Sequence, residues 1–437
     1  MQPVLVVTYY WPPSGGAGVQ RWLKLVKYLS QSGTEPLILT IDPNYASYPQ
    51  QDPDLIKDIS PDLKVHYAIS PTGIFTIYKK LTGKEEVPYG GFVNEGNPGI
   101  LQQILRFIRG NFFLPDARRG WNRYAFKAAI RIIRDNNINT VITTSPPHST
   151  QLIGLKLKKK LRINWIADLR DPWTDIYYTG KMFQTLPAKW MNRRLESQVL
   201  NTADRIVATC DSTSIVFRSK LNRNQHTEKV VTITNGYDPD DFTFEKRTPE
   251  GFIISYLGTL AGNYDLEVLV KAVDIFLSSG KQNITMRFIG KSDEKVLWGF
   301  RGKEGVSVEV IPYVGHRKAM EYLSGSVALL LVIPSNRKTN EMIPGKLFEY
   351  LASERPVIAL GPAESDAGRI LQTTGGGRIF DKNDSDSLGV YLNYLHKNFM
   401  EGHFELKSKG IEQFSRKTLA EKYSGIIKNI SVNSAEN

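Results

Sequence analysis

Cysteine is almost absent from this sequence, because Cys210 is the only one among 437 residues. A disulfide framework and a cysteine-based metal cluster are therefore excluded, and a reducing cytoplasm is the expected location. No apolar run approaches the roughly 20 residues that a membrane-spanning helix needs. The first residues have no basic segment ahead of their apolar run, so we expect a strand there and not a signal peptide.

Acidic residues are scarce in one half of the chain. The formal net charge is +12, and residues 1–240 carry 31 Lys and Arg against 20 Asp and Glu. The excess is concentrated in residues 101–200, which hold 18 basic and 6 acidic side chains. We therefore expect the basic half to meet an anionic partner, either nucleic acid or a membrane surface. Nucleic acid is the weaker hypothesis, because the basic residues follow no known recognition pattern.

One segment near the C-terminus predicts a strand–loop–helix–strand unit. Residues 327–333 and 357–360 are apolar runs typical of buried strands, and a helix is predicted to begin at Gly345 between them. Ligands bind at the carboxyl ends of parallel strands, and a helix N-terminus favours an anion. Lys346 in the first turn suits a phosphate, and Glu349 one turn later can accept hydrogen bonds from hydroxyl groups. This combination predicts a site for a nucleotide or a sugar nucleotide.

The first elements predict a strand, a loop rich in Gly and Pro at residues 9–18, and an amphipathic helix. Such a loop lets backbone approach a ligand closely. The spacing is not GxGxxG, and only Asp42 could end the second strand at a ribose, so a dinucleotide site is a minor alternative.

Two later strand ends are predicted to lie at the same edge of this sheet. The first carries His148, whose position in a strand-end loop fits a functional or a structural role equally well. The second carries Asp168, Arg170 and Asp171. The two aspartates resemble a metal pair, but the arginine between them favours an ion-paired loop.

Residues 43–120 lack a regular pattern and are predicted to be an insertion. Within it, residues 100–109 form an apolar helix face with arginines beside it, and further aromatic and basic residues follow up to Trp121. This pattern suits a helix lying in the plane of a membrane interface. A helix packed on the domain's own core, with solvated arginines, is the alternative.

A turn-rich break at residues 235–242 predicts the domain boundary, since composition and charge both change there. We place an N-terminal α/β domain at residues 1–240 and a C-terminal α/β domain at residues 241–410. Residues 411–430 are predicted to form a final helix that could pack back on the N-terminal domain.

Several landmarks occur in a specific order along the chain. They are Gly16 to Gln20, His148, residues 235–238, Gly258 to Leu260, and Glu341 followed eight positions later by Glu349. In this order the chain resembles the retaining, nucleotide-sugar-dependent glycosyltransferases of family 4 over nearly its full length. The resemblance implies the GT-B fold, in which two Rossmann-like domains with parallel sheets face a central cleft. It also implies a nucleotide-diphosphate sugar as donor substrate and no metal or other cofactor.

The resemblance further implies roles for individual residues. His148 and Glu341 would be catalytic, close to the transferred sugar, and Glu349 would bind the donor ribose. The other donor-binding residues would be Gly16, Gly18, Gly258, Thr259, Lys291, Gly345, Lys346 and Leu347. Those on the acceptor side would be Tyr9, Gln20 and Asp171.

The sequence departs from the family at the cations that hold the donor phosphates. The family usually has an Arg and a Lys just after the Gly-x-Leu turn, and residues 261–265 contain neither. Lys346, with Lys291 or Arg337, would have to replace them.

The resemblance thus implies hexosyl or N-acetylhexosaminyl transfer, independent of metal, to a lipid-linked or saccharide acceptor. Cell-surface polysaccharide or glycolipid assembly is the expected pathway, with the enzyme cytoplasmic or peripheral on the inner face of the membrane. Two alternatives stay open. One is a non-catalytic GT-B protein that binds a sugar nucleotide or a partner enzyme, and the other is a sugar-nucleotide epimerase.

Overall fold

The structure is a computed structural model that describes residues 1–70, 100–176, 179–223, 226–260, 262, 264–280, 283–333 and 343–435. The chain forms two compact units. Unit 1 comprises Met1–Thr234 together with Arg416–Asn437, and unit 2 comprises Asn235–Ser415. The sequence-based prediction ended the N-terminal domain at residue 240 and the C-terminal domain at residue 410.

Unit 1 is built on a seven-stranded parallel sheet of order β3-β2-β1-β4-β5-β6-β7. The strands are β1 (Gln2–Val7), β2 (Thr34–Ile41), β3 (Val65–Ala68), β4 (Thr140–Ser145), β5 (Asn164–Leu169), β6 (Arg205–Ala208) and β7 (Val230–Thr232). The order reverses between β1 and β4, which is where a doubly wound sheet opens a crevice at its carboxyl edge.

Helices cover both faces of this sheet. They are α1 (Ala17–Gln31), α2 (Ile100–Phe112), α3 (Asn122–Asp135), α4 (Gln151–Lys160), α5 (Leu186–Thr202), α6 (Asp211–Ser219) and, at the end of the chain, α13 (Arg416–Ala435). Because successive strand residues point to opposite faces, Val4 and Val6 pack with α1 and α13, whereas Leu5 and Val7 pack with α3 and α4. Burial on both faces explains the continuous apolar runs of the strands.

The sheet includes a strand from the predicted insertion at residues 43–120. Val65 of β3 pairs in parallel register with Ile38 of β2, so this part of the segment belongs to the fold. The prediction was wrong here because β3 has only four residues and includes His66 and Tyr67, which interrupt any apolar pattern. Residues 71–99 of the predicted insertion lie outside the described residues.

The second correction concerns Asp168, at the end of β5. Its ion pair is with Arg21 and not with Arg170, at 3.2 Å between Asp168 Oδ1 and Arg21 Nη2, and both side chains are fully buried. Tyr423 of α13 donates to Oδ1 at 2.7 Å, and Trp22 and Thr144 donate to Oδ2. Burial opposes ionisation, but Arg21 and these donors outweigh it and lower the pKa of Asp168. The carboxylate is therefore occupied in the core, which removes the metal-pair alternative.

Unit 2 contains a six-stranded parallel sheet of order β10-β9-β8-β11-β12-β13. The strands are β8 (Ile253–Leu257), β9 (Ile284–Ile289), β10 (Val306–Ile311), β11 (Ala328–Val332), β12 (Val357–Leu360) and β13 (Gly377–Phe380). The order reverses between β8 and β11, again at a position where ligands bind such sheets.

The described helices of unit 2 are α7 (Glu267–Ser278), α8 (Glu294–Leu297), α9 (His316–Ser324), α10 (Lys346–Ala352), α11 (Asp366–Thr374) and α12 (Ser385–Met400). One face of the sheet packs with α7 and α12, and the other packs with α9, α10 and α11. The prediction of two Rossmann-like units with parallel sheets is therefore confirmed.

Candidate functional site

Lys346 begins α10 and lies against the carboxyl end of β8 in unit 2. Its Nζ donates a hydrogen bond to the carbonyl oxygen of Leu257 at 2.9 Å and lies 3.6 Å from the centroid of the Tyr256 ring. Desolvation by burial lowers the pKa of Lys346 to about 7, and the nearby Glu349 carboxylate acts in the opposite direction. A lysine amine with this pKa is only partly protonated at pH 7, and it becomes fully protonated when an anion binds beside it.

Two buried tyrosines hold the turn beside Lys346. The Tyr350 hydroxyl accepts a hydrogen bond from the amide of Leu257 at 2.9 Å, and the Tyr256 hydroxyl donates to the carbonyl of Thr259 at 2.9 Å. Between them Gly258 has φ +120°, a conformation that favours glycine. The backbone after β8 is therefore fixed, with the Thr259 side chain exposed beside it.

Glu349 lies one helical turn after Lys346 and close to a histidine. Its Oε1 is 4.0 Å from Nε2 of His316, and that nitrogen is hydrogen-bonded to Oδ2 of Asp241 at 3.0 Å. Sequence reasoning missed His316 and Asp241. His316 begins α9 in the loop that follows β10, and this strand-end position is the signal that could have selected it, as it selected His148.

The other residues predicted to bind the donor on unit 2 differ in how they are placed. The amide of Leu347 donates to the carbonyl of Pro344 at 3.0 Å, so the helix start itself uses this group. Lys291 follows β9 with an exposed side chain, and its carbonyl accepts from the Leu260 amide. The predicted catalytic residue Glu341 and the alternative cation Arg337 lie outside the described residues.

In unit 1 the glycine loop lies against an arginine. Gly16 precedes α1 with φ +101°, and α1 has no acidic residue in its first turn. A Cβ atom on Gly18 would lie 2.0 Å from Nη1 of Arg170, so a larger residue there would displace the Arg170 side chain. Arg170 donates from Nε to the Ser145 carbonyl, and no carboxylate of the described residues lies within ion-pair distance of it. A guanidinium group and a helix N-terminus therefore lie together at this sheet edge.

His148 occupies a buried position at the same edge of the sheet. Its ring stacks on Trp173 with 5.1 Å between centroids, and within the described part of the chain neither ring nitrogen has a hydrogen-bond partner. Burial lowers the pKa of His148, whereas the Asp171 and Asp116 carboxylates act in the opposite direction. The imidazole is therefore neutral at pH 7 and has both nitrogens free for a ligand.

The turn that carries His148 is held by a neighbouring carboxylate. Asp116 accepts hydrogen bonds from the amide and the hydroxyl of Ser149 at 2.7 and 2.8 Å. Glu196 accepts a hydrogen bond from the Thr174 hydroxyl at 2.6 Å and thereby fixes the loop that carries Trp173. The position of the imidazole is thus set by packing and charge around it.

The predicted acceptor-side residues do not form one group. Tyr9 is 3% exposed, its hydroxyl is hydrogen-bonded to Ser47, and its ring packs edge-on against Trp121. The structure therefore gives Tyr9 a role in the core and not the predicted acceptor contact. Gln20 is partly exposed in the first turn of α1, and Asp171 is partly exposed near His148.

Two further observations bear on cofactors and membranes. Among the described residues, no group of three or more His, Cys, Asp or Glu side chains is arranged to hold a metal ion. None of the helices in the described ranges is both long and apolar enough to cross a membrane.

Comparison with known proteins places these features in context. The family model "Glycosyltransferase Family 4" matches residues 89–241, and "Glycosyl transferases group 1" matches residues 239–409. Among curated proteins, none matches the chain.

Solved structures share the fold at low sequence identity. Sucrose-phosphate synthase from Thermosynechococcus elongatus is 14% identical with a TM-score of 0.61, covering 99% of this chain and 100% of that one. Trehalose-6-phosphate synthase OtsA is 12% identical with a TM-score of 0.62, covering 98% and 99%. The lipopolysaccharide outer core galactosyltransferase WaaB is 12% identical with a TM-score of 0.57, covering 98% and 100%.

Proposed function

Because the chain belongs to the family-4-like glycosyltransferases of the GT-B fold, we propose that it uses a nucleotide-diphosphate sugar as donor. The group transferred to an acceptor hydroxyl is a hexosyl or N-acetylhexosaminyl group, and the reaction retains the anomeric configuration without a metal ion. The observation that carries this proposal is the position of Lys346, whose ammonium group lies at the carboxyl end of β8 with a pKa of about 7.

Unit 2 binds the donor in this proposal. The Lys346 ammonium group neutralises the diphosphate as it departs, which replaces the cations missing from residues 261–265. A single pre-placed donor of this kind contributes about 2.7–4 kcal/mol to transition-state stabilisation. Glu349 accepts hydrogen bonds from the ribose, and His316 holds the Glu349 carboxylate in position through its contact at 4.0 Å.

Unit 1 contributes the neutral imidazole of His148. We assign it to a hydroxyl group of the transferred sugar, because both ring nitrogens lack a partner among the described residues. Retention follows if the acceptor hydroxyl attacks from the face that the leaving diphosphate departs. Arg170 and the loop at Gly16 to Gly18 supply positive potential at the carboxyl edge of the unit 1 sheet.

The acceptor is proposed to be a lipid-linked saccharide in cell-surface polysaccharide or glycolipid assembly. The support for this assignment is the basic excess of residues 101–200, which suits an anionic surface. The enzyme would then act from the cytoplasm, on the inner face of the membrane.

The experiment that tests the donor site is a thermal-shift screen of the intact protein against UDP-, GDP- and ADP-linked sugars. A donor at 100 times its Kd stabilises the protein by about 2.7 kcal/mol. We expect donors with one type of base to stabilise the protein, and we expect Lys346→Met to lose this stabilisation. The matched control Lys271→Met should keep it, because Lys271 pairs with Glu267 on an exposed helix face.

Product analysis with the selected donor separates the remaining alternatives. Transfer to an added acceptor, or slow donor hydrolysis, supports the proposal. Interconversion of the donor sugar without an acceptor would indicate an epimerase, and donor binding with no turnover would indicate a non-catalytic protein.

A further inference from the structure

Two neighbouring helices of unit 1 expose large apolar side chains. On α2 they recur at helical spacing along one face, and Ile100 is 80% exposed. A second set lies at the start of α5 and just before it, where Leu186 is 80% and Trp190 is 56% exposed. The complete set is Ile100, Ile104, Phe107, Ile108, Phe112, Phe183, Leu186, Trp190 and Met191. We call this set the apolar face.

Hydrogen bonds join the two helices into one surface. Asn111 near the end of α2 accepts from the amide and hydroxyl of Thr185 at 2.8 and 2.7 Å, and it donates to the Phe183 carbonyl at 3.1 Å. Gln184 donates to the Gly110 carbonyl, and a Cβ on Gly110 would lie 2.3 Å from the Met182 carbonyl oxygen. This close approach keeps both halves of the apolar face in register.

The charged residues of the two segments that form this face all have one sign. Residues 100–112 and 179–194 contain no acidic residue. They contain six basic ones, namely Arg106, Arg109, Lys181, Lys189, Arg193 and Arg194. Lys189, Arg193 and Arg194 are exposed and Arg109 is partly exposed, whereas Arg106 is buried. The Arg194 guanidinium lies 5.2 Å from the centroid of the Trp190 ring, so cation and aromatic ring are adjacent at the surface. Exposed Trp, Phe, Leu and Ile beside Lys and Arg alone are typical of helices that lie in an anionic membrane interface.

We propose that the apolar face docks unit 1 onto a bilayer containing anionic lipids. Its aromatic and aliphatic side chains enter the boundary between headgroups and acyl chains, and the exposed Lys189, Arg193 and Arg194 contact lipid phosphates. A protein partner is disfavoured, since the cations of these two segments, with no acidic residue among them, are complementary to a negatively charged plane. The benefit of docking to catalysis rests on the proposed function, because a lipid-linked acceptor lies in that plane. The docking itself does not depend on the proposed function.

The test is co-flotation of the full chain with vesicles. One set contains phosphatidylcholine alone, and the other contains phosphatidylcholine mixed with phosphatidylglycerol. We expect the protein to bind the mixed vesicles and to bind the neutral ones at least tenfold more weakly. Added salt should weaken binding to the mixed vesicles. A double variant, Leu186→Ser with Trp190→Ala, should lose at least tenfold in affinity, because it removes two exposed anchors without touching the core.

The matched control is Trp298→Ala, since Trp298 is 68% exposed on unit 2. It should bind vesicles as the unchanged protein does, and all variants should keep the same melting temperature. Equal vesicle binding by the double variant and the control, or no vesicle binding at all, would overturn the proposal. A dimer in light scattering that the double variant dissolves would assign the face to a second copy and overturn it as well. Nucleotide-sugar stabilisation, measured on the same samples, reports the donor site separately.

Discussion

Each unit places a buried basic side chain at the carboxyl edge of its sheet, Lys346 in unit 2 and His148 in unit 1, and burial lowers the pKa of both. Their surroundings differ. Lys346 of unit 2 already donates to the Leu257 carbonyl and lies over the Tyr256 ring, with Glu349 one turn away. His148 of unit 1 stacks on Trp173 but has no hydrogen-bond partner among the described residues.

The two side chains are therefore pre-positioned for a ligand in different protonation states. Lys346 is held in place and changes its charge when an anion binds, because its pKa of about 7 leaves room to rise. His148 is held in place and keeps its neutral form, so it can donate and accept hydrogen bonds without a change of charge. In the proposed function, Lys346 therefore suits the diphosphate and His148 suits an uncharged part of the sugar.

The largest effect is expected from removing the Lys346 charge. The variant Lys346→Met should lower kcat about 100- to 1000-fold, as the loss of one pre-placed electrostatic group does in other enzymes. Its melting temperature should not fall, since methionine fills the same space without a desolvated ammonium group. Initial rates with the donor selected by thermal shift measure this, and Lys271→Met is the control. Full activity in Lys346→Met would remove the lysine from the mechanism.

A second large effect is expected at His148. The variant His148→Ala should lower kcat about 100-fold with little change in the donor KM, because the imidazole acts on the transferred sugar and not on the nucleotide. His148→Gln, which retains a hydrogen-bonding side chain of similar length, should recover part of the loss. A rise in KM alone would show that His148 contributes to ground-state binding only.

The pH dependence of the rate sharpens the comparison further. The pKa of His148 is lowered from its ordinary value of 6.5, so the neutral form predominates at pH 7 and is lost only under more acidic conditions. We expect kcat to be constant near neutral pH, where His148 stays neutral. Under more acidic conditions, protonation of His148 should lower kcat by up to tenfold per pH unit. The pH–rate profile of His148→Gln should lack this acid limb. An unchanged limb would assign it to another group.

The smallest effect is expected at His316, which acts through Glu349 in this account. His316→Ala should raise the donor KM only a few-fold, because it removes a neighbour of the ribose-binding carboxylate and no direct contact. His316→Asn should restore most of the affinity by keeping a polar contact with Asp241. A fall in kcat as large as that of Lys346→Met would instead indicate that His316 contacts the substrate.

The sequence predicted the features that depend on local pattern. Strands buried on both faces, such as residues 327–333, give apolar runs that stand out from their neighbours. The helix with Lys346 and Glu349 was recognisable because its buried residues Leu347 and Leu351 recur at helical spacing. The α2 half of the apolar face was visible for the same reason.

Features that depend on distant residues were not predictable. The partners of Asp168 are 147 and 255 positions away, in Arg21 and Tyr423, so the loop sequence pointed to Arg170 instead. The sequence beside a glycine loop does not show whether an aromatic side chain faces a ligand or the core. Tyr9 was therefore given an acceptor-side role, whereas the structure buries it in the core. The apolar residues of α5 resemble core residues in sequence, and only their exposure in the structure distinguishes them.

The central claim is that Lys346 takes up a proton from solvent when the donor diphosphate binds, and calorimetry tests it directly. Nucleotide-sugar binding is measured at about pH 8 in two buffers of different ionisation enthalpy, which gives the number of protons exchanged. With a free-state pKa of about 7, Lys346 is mostly neutral there, so binding should take up nearly one proton. Affinity should also weaken as the pH rises, whereas Lys346→Met should bind weakly with no proton uptake. Binding by the unchanged protein without proton uptake, at an affinity that Lys346→Met retains, would contradict the account.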